Sequence, residues 1–173
     1  MSREETDRTT GGKEEVRILA FLCNWCSYAG ADLAGVSRLQ YPPNVVDIRV
    51  MCTGTISPYH VLKAFQMGID GVLIAGCHIG DCHYLKGNYM THKRFQVIRD
   101  VLKFVGVDEE RIRLEWVSAA EGEKFADVIR GFTGQVEKAG PSPLRSRWEV
   151  TPEYWERLRE AFKTLESLEP EGV

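Results

Sequence analysis

The chain has 173 residues, 43% hydrophobic and 27% charged, which are the proportions of an ordinary soluble globular protein with room for one domain and an appendage. Its 22 Lys and Arg against 25 Asp and Glu leave a formal charge of −3, which argues against a nucleic-acid binder with its basic surplus. The longest apolar runs are too short to cross a bilayer and the start, MSREETDRTTGGKEE, lacks the apolar core of an export signal, so no membrane partner and a cytoplasmic location are expected.

Residues 1–15 read as a disordered tail: charged, Thr- and Gly-bearing, without periodicity. VRILAFLC (16–23) is a short apolar run that fits a buried strand ending at Cys23. SYAGADLAGVSRLQ (27–40) is rich in helix formers, and YPPN then breaks the chain. VVDIRVMC (45–52) is a second β-branched run ending at Cys52. The helix that follows has Ser57 as N-cap, Pro58 at its first position and Gly68 at its stop. GVLIAGC (71–77) is the third strand, ending at Cys77. After a loop, MTHKRFQVIRDVLKFVG forms an amphipathic helix, RIRLEWVS (111–118) a fourth strand, and AAEGEKFADVIRGFTGQVEKAG the helix after it. Strictly alternating strands and helices predict an α/β fold with a mainly parallel sheet of about four strands, flavodoxin-like, in the order 2-1-3-4.

GPSPLRSRWEV (140–150) reads as a linker arm. TPEYWERLREAFKTLESLEP reads as a capped helix with Thr151 as N-cap, Pro152 at the first position and an apolar stripe of Trp155, Leu158, Phe162 and Leu165. The stripe either packs back on the domain or docks on a partner chain. The domain plan is a tail over 1–15, an α/β domain over 16–140 that houses the cysteines, and an arm with a helix over 141–173.

All five cysteines, Cys23, Cys26, Cys52, Cys77 and Cys82, lie in the first half of the chain. An odd number without an export signal points to metal ligation or thiol chemistry rather than disulfides. Three of them end successive predicted strands, Cys26 lies in the turn after the first, and Cys82 in the loop after the third. In an open parallel sheet those strand ends share one rim, where ligands bind. Neighbouring strands are about 5 Å apart, so all five sulfurs are expected to crowd one place.

Four thiolates suit Zn²⁺ or an iron–sulfur cluster, and spacing alone decides little between them. Zinc-ribbon knuckles, the bacterial and plant-type ferredoxin runs and the c-type haem motif are absent; thioredoxin-like chemistry would use Cys23 and Cys26 and leave three cysteines unexplained. A Rieske-type set would draw on His78 and His83, but each directly follows a cysteine, and both read as ordinary loop residues. Gly54, Gly76 and Gly80 allow tight turns whose N–H groups can reach sulfur. Trp25 is expected beside the site or facing a partner, His60 and His92 on helix surfaces, Asp81 in a turn, and Ser118, Glu121 and Glu123 near the rim in capping roles. No phosphate-binding glycine motif or nucleophile–base constellation accompanies the cysteines, which favours an electron carrier over a complete enzyme.

FLCNWCSYAGADLAG, RVMCTG, AGCHIGDCHY with GNY following, and RLEWVSAAEGEKFA resemble, in order, the delta subunit of methyl-viologen-reducing [NiFe] hydrogenase over residues 16–140. The resemblance implies a [2Fe-2S] cluster held by cysteines. It implies electron transport from a hydrogenase or a formate dehydrogenase to the flavin-containing A-type component of heterodisulfide reductase, in an electron-bifurcating complex of anaerobes. It includes all five cysteines where such a cluster needs four. The favoured set is Cys23, Cys52, Cys77 and Cys82, with Cys26 as the alternate to Cys23. The expected role is a non-catalytic oxidoreductase subunit. The rival readings are a zinc-stabilised adaptor and a CxxC thiol–disulfide oxidoreductase.

Overall fold

The computed structural model describes residues 15–145 together with Glu156, Arg159 and Glu160. The expected tail therefore lies outside the described residues except for Glu15, and the expected C-terminal helix except for three positions. Four strands, β1 (Ile18–Cys23), β2 (Val45–Val50), β3 (Gly71–Gly76) and β4 (Ile112–Trp116), form one sheet in the order β2-β1-β3-β4, and every pairing is parallel. Helices α1 (Ser27–Val36), α2 (Pro58–Gln66), α3 (Gly87–Phe104) and α4 (Gly122–Ala139) connect and flank the strands. The α/β, flavodoxin-like arrangement and its strand order agree with the expectation.

Strands β1 and β3 are covered on both faces, which is why they read as unbroken apolar runs. Leu19, Phe21, Val72 and Ile74 face Val61 and Phe65 of α2 and Ile98 and Leu102 of α3. Ile18, Ala20, Leu22, Leu73 and Ala75 face Ala34 of α1 and Phe125, Ile129 and Phe132 of α4. Helix α2 begins as its sequence demands: Ser57 is the N-cap, Pro58 opens the helix, and His60 closes a reciprocal capping box through its Nδ1, 3.1 Å from Ser57 N.

Two strand ends fall short of the cysteines that the sequence reading placed on them. β2 stops at Val50, the partner of Cys23, so Cys52 lies beyond the strand. Its carbonyl accepts the Thr55 N–H (3.1 Å) and hydroxyl (2.7 Å), turning the chain into a short 3-10 helix over Thr53–Thr55. β3 stops at Gly76, leaving Cys77 as the first residue of the loop. Only Cys23 ends a strand. Helix α3 also starts at Gly87, three residues before the expected Met90.

The opposite edge of the sheet is held by charge. Asp70, fully buried, accepts the Arg17 N–H (2.8 Å), the Ser142 N–H (2.7 Å) and the Arg145 guanidinium (3.1 Å). Arg111, also buried, donates to the carbonyls of Ala139, Gly140 and Pro141 at the end of α4. Residues 141–145, at the start of the expected linker arm, have Ser142 and Leu144 buried.

Candidate metal centre

The rim at the carboxyl ends of the strands carries the five cysteines, all buried and all free thiols. Cys23, Cys26 and Cys77 form one group with sulfurs within 4.8 Å of one another. Cys77 Sγ lies 2.9 Å from Cys26 Sγ and 3.7 Å from Cys23 Sγ. The CxxC turn creates this group: the Cys26 N–H returns to the Cys23 carbonyl (3.3 Å), bringing both side chains over the start of the Cys77 loop. Ser27 locks the turn, its buried hydroxyl accepting the Cys23 N–H (2.8 Å) and donating to the Ala75 carbonyl (2.5 Å).

Cys52 and Cys82 make a second group, meeting at the first residue of α3. A Cβ built on Gly87 would lie 2.2 Å from Cys52 Sγ and 3.0 Å from Cys82 Sγ. Both sulfurs therefore abut the N-terminus of α3, whose positive end favours negative sulfur. The Gly54 N–H also points to Cys52 Sγ at 3.4 Å. Gly54 thus does what the sequence reading assigned to the rim glycines. Gly80 instead supplies the positive φ (99°) of its turn, and Gly76 makes room for the Thr53 hydroxyl and the Trp116 ring.

The two groups interact electrostatically. Hydrogen bonding from the Cys26 thiol, the largest cause, holds Cys23 down at about 6, in spite of its burial. The same bond and desolvation push Cys26 strongly upward. Burial raises Cys77 to about 11 and also raises Cys52, which feels the charges of Cys82 and Cys23. Within the group of three, the Cys23 thiol is thus held down while those of Cys26 and Cys77 are pushed up.

Neighbouring loops brace the site through residues that the sequence reading missed. Asn88, buried at the second position of α3, donates to the carbonyls of Cys77 (3.3 Å) and His78 (2.6 Å). Thr91 Oγ1 lies 2.9 Å from both Thr53 Oγ1 and the Gly87 carbonyl. Arg94 donates to the Gly54 carbonyl. The only sequence signal is the GNY tripeptide that follows the Cys82 loop. His78 does not join the thiols; its Nε2–H donates to Glu121 (2.6 Å), which also accepts the Ser118 N–H (2.7 Å). Glu121 is held down to about 2, chiefly by the Ser118 N–H and next by His78. Glu123 is exposed in the first turn of α4. Asp81 is an exposed turn residue, and His60 and His92 are exposed on their helices.

The outer surface of the rim is aromatic. The Trp25 indole stacks on the His83 ring, with centroids 3.8 Å apart and planes at 13°, and its N–H reaches Tyr84 Oη at 3.3 Å. This stack joins the CxxC turn to the loop carrying Cys82. Trp25, Met51, Ile79 and Tyr84 are each about half exposed around buried sulfur.

Five buried thiols in two adjoining groups, one with a low-lying thiolate and the other at a helix N-terminus, make a soft donor set that fits zinc or an iron–sulfur cluster. Among the described residues no helix is long and apolar enough to cross a membrane. A family profile described as methyl-viologen-reducing hydrogenase, delta subunit, matches residues 18–140. The chain is 50% identical over 131 residues to the vhc iron-sulfur D-type component of F420-non-reducing hydrogenase from Methanococcus voltae, covering 76% of this chain and 91% of that protein. It is 40% identical over 130 residues to the corresponding vhu iron-sulfur component from Methanocaldococcus jannaschii, covering 75% and 97%. It is also 48% identical over 136 residues to the A-type component of ferredoxin:CoB-CoM heterodisulfide reductase from Methanosarcina mazei, a match spanning 78% of this chain and 17% of that longer protein. With its profile match running from β1 through α4, the chain belongs to the family of the methyl-viologen-reducing hydrogenase delta subunit.

Proposed function

We propose that this protein is a cytoplasmic electron-transfer subunit that holds a [2Fe-2S] cluster and relays single electrons to a flavin-containing heterodisulfide reductase component of the A type. The donor would be a hydrogenase or a formate dehydrogenase, within an electron-bifurcating complex. The observation that carries the reading is the gathering of five free, buried thiols at one sheet rim. The hydrogenase iron-sulfur relatives and the heterodisulfide reductase relative support the cofactor class and the partners.

Bound there, the cluster would supply reversible one-electron storage. Cys52 and Cys82 would serve one iron, Cys23 and Cys77 the other. Cys26, whose thiol donates to Cys77 Sγ at 2.9 Å, would be the fifth thiol. Gly54 N–H and the α3 N-terminus offset negative charge on Cys52, which makes reduction easier than it would be in an apolar pocket. The Trp25–His83 stack keeps water off the sulfurs while leaving a thin, half-exposed layer through which a partner's centre can approach.

Anaerobic purification tests this. The expected protein is coloured, carries two irons per chain and gives an EPR signal on reduction. Cys77→Ala and Cys82→Ala should lose iron while Cys26→Ala retains it. Colourless protein with stoichiometric zinc would support the adaptor reading, to which the Cys23, Cys26 and Cys77 group is equally suited as a donor set. Metal-free protein with a reactive CxxC would support the oxidoreductase reading.

A further inference from the structure

Of the two edge strands, β4 is half-buried along most of its length, whereas Val46, Asp47, Ile48 and Arg49 of β2 are exposed, on both faces of the sheet. β2 bonds to β1 through alternate residues. The Asn44 carbonyl accepts the Ile18 N–H (3.0 Å) and the Val50 carbonyl accepts the Asn24 N–H (2.8 Å). The main-chain groups of Val46 and Ile48, in step with these, also turn toward β1. Those of Asp47 and Arg49 therefore point out of the sheet, and among the described residues no strand receives them.

The side chains divide in the same alternation. Asp47 pairs with Ala20 and Arg49 with Leu22, so both lie on the face of α1 and α4, where the Arg49 guanidinium stands 5.0 Å over the Tyr28 ring. Neither charge has an ion-pair partner among the described residues. Val46 and Ile48, 63% and 43% exposed, continue the apolar surface of Leu19 and Phe21 on the other face.

We propose that the occupant of this edge is β2 of a second copy of the chain, antiparallel, about a two-fold axis through Ile48. Residues opposed in an antiparallel pair must both turn their main-chain groups outward or both inward, so the axis must pass through a residue. Centred on Asp47 or Arg49, it sets like charges against each other. Centred on Val46 or Val50, it leaves the charges without partners. Centred on Ile48, it sets Asp47 of each protomer opposite Arg49 of the other, with N–H···O=C bonds exchanged between them. Ile48 then meets Ile48, and Val46 meets Val50, on the opposite face. Charges on an edge strand ordinarily keep other strands away. Opposite charges two positions apart make this strand complementary to itself. The contact is isologous and closes at two copies. Because the paired strands run in opposite directions, the two thiol rims lie at opposite ends of the joined sheet, and the contact covers neither.

The test uses the full chain and does not depend on the cofactor. Sedimentation equilibrium is expected to show a monomer–dimer equilibrium. Asp47→Arg and Arg49→Asp, each alone, should weaken self-association about tenfold or more, because each turns attraction into repulsion on both sides of the axis. Mixing the two variants should restore a dimer, as should combining both substitutions in one chain; a merely structural role for either residue would not do this. With the photo-crosslinking residue p-benzoylphenylalanine in place of Ile48, irradiation should join position 48 to residues 46–50 of a second chain, at twice the chain mass. Circular dichroism checks the fold of each variant, and the crosslink serves if a charge variant fails to fold. A monomer at every concentration, single variants that associate as well as the unmodified chain, or a mixture that stays monomeric overturns the proposal. A crosslink within one chain would assign the edge to another segment of that chain, and one formed only after adding hydrogenase or reductase subunits would assign it to a partner. Either result also overturns the proposal.

Discussion

Gly87 shows how much one missing side chain can matter. It opens α3 against Cys52 and Cys82, where any Cβ would lie inside the contact distance of sulfur. Gly87→Ala must displace either the helix start or the Cys52 side chain. It is expected to cost about 1–3 kcal/mol and to lower bound metal per folded chain, measured by thermal melting and metal analysis. Gly134→Ala is the control, since its Cβ would meet open space within α4 and should stabilise by about 0.5–1 kcal/mol. Much of the site is legible residue by residue. All five cysteines are expected at one rim from the sequence, because a parallel sheet brings its strand ends together. Gly87 and Asn88 are not, because what they touch is chosen by a loop closing back on the start of α3.

At the scale of elements, Glu121 ties the loop after β3 to the start of α4. Its carboxylate takes two hydrogen bonds, from Ser118 N–H and His78, and its folded value of about 2 lies below the ordinary 4.5. A carboxylate depressed in this way contributes stability that is complete above the ordinary value and lost as pH falls toward about 2. Glu121→Gln should therefore destabilise the protein near neutral pH and flatten its stability between about pH 5 and 2. The expected loss is about 1 kcal/mol, because the group is a third exposed and screened; urea unfolding across that pH range measures it. The place of Glu121 at the rim before α4 is legible in the sequence, but its carboxylate makes no cap hydrogen bond to that helix and turns back to Ser118 and His78 instead. Its bond to His78 spans 43 positions and has no local signature.

The molecule as a whole has a division of labour between its two sheet edges. The carboxyl edge gathers thiols, whereas the amino edge is closed by Asp70, Arg145 and Arg111. Asp70 is fully buried and accepts from three separate segments, one of them the start of the C-terminal extension. Asp70→Ala leaves those donors unpaired and is expected to cost about 3 kcal/mol, seen as a lower urea midpoint. Metal content per folded chain should stay unchanged, because the thiols lie at the other edge. Loss of metal in that variant would mean that the two edges are coupled through the sheet.

The amino-acid sequence by itself determined the alternation of strands and helices, the parallel sheet and the order β2-β1-β3-β4. Short β-branched runs between amphipathic stretches admit few other ways to bury both faces of a sheet. It also determined which residues carry sulfur to the rim. Only the tertiary structure decided that Cys52 stands beyond its strand and that the thiols divide into a group of three and a pair. Those outcomes depend on distances of a few ångströms between loops far apart in the chain, which strand pairing and close packing set and no local pattern encodes.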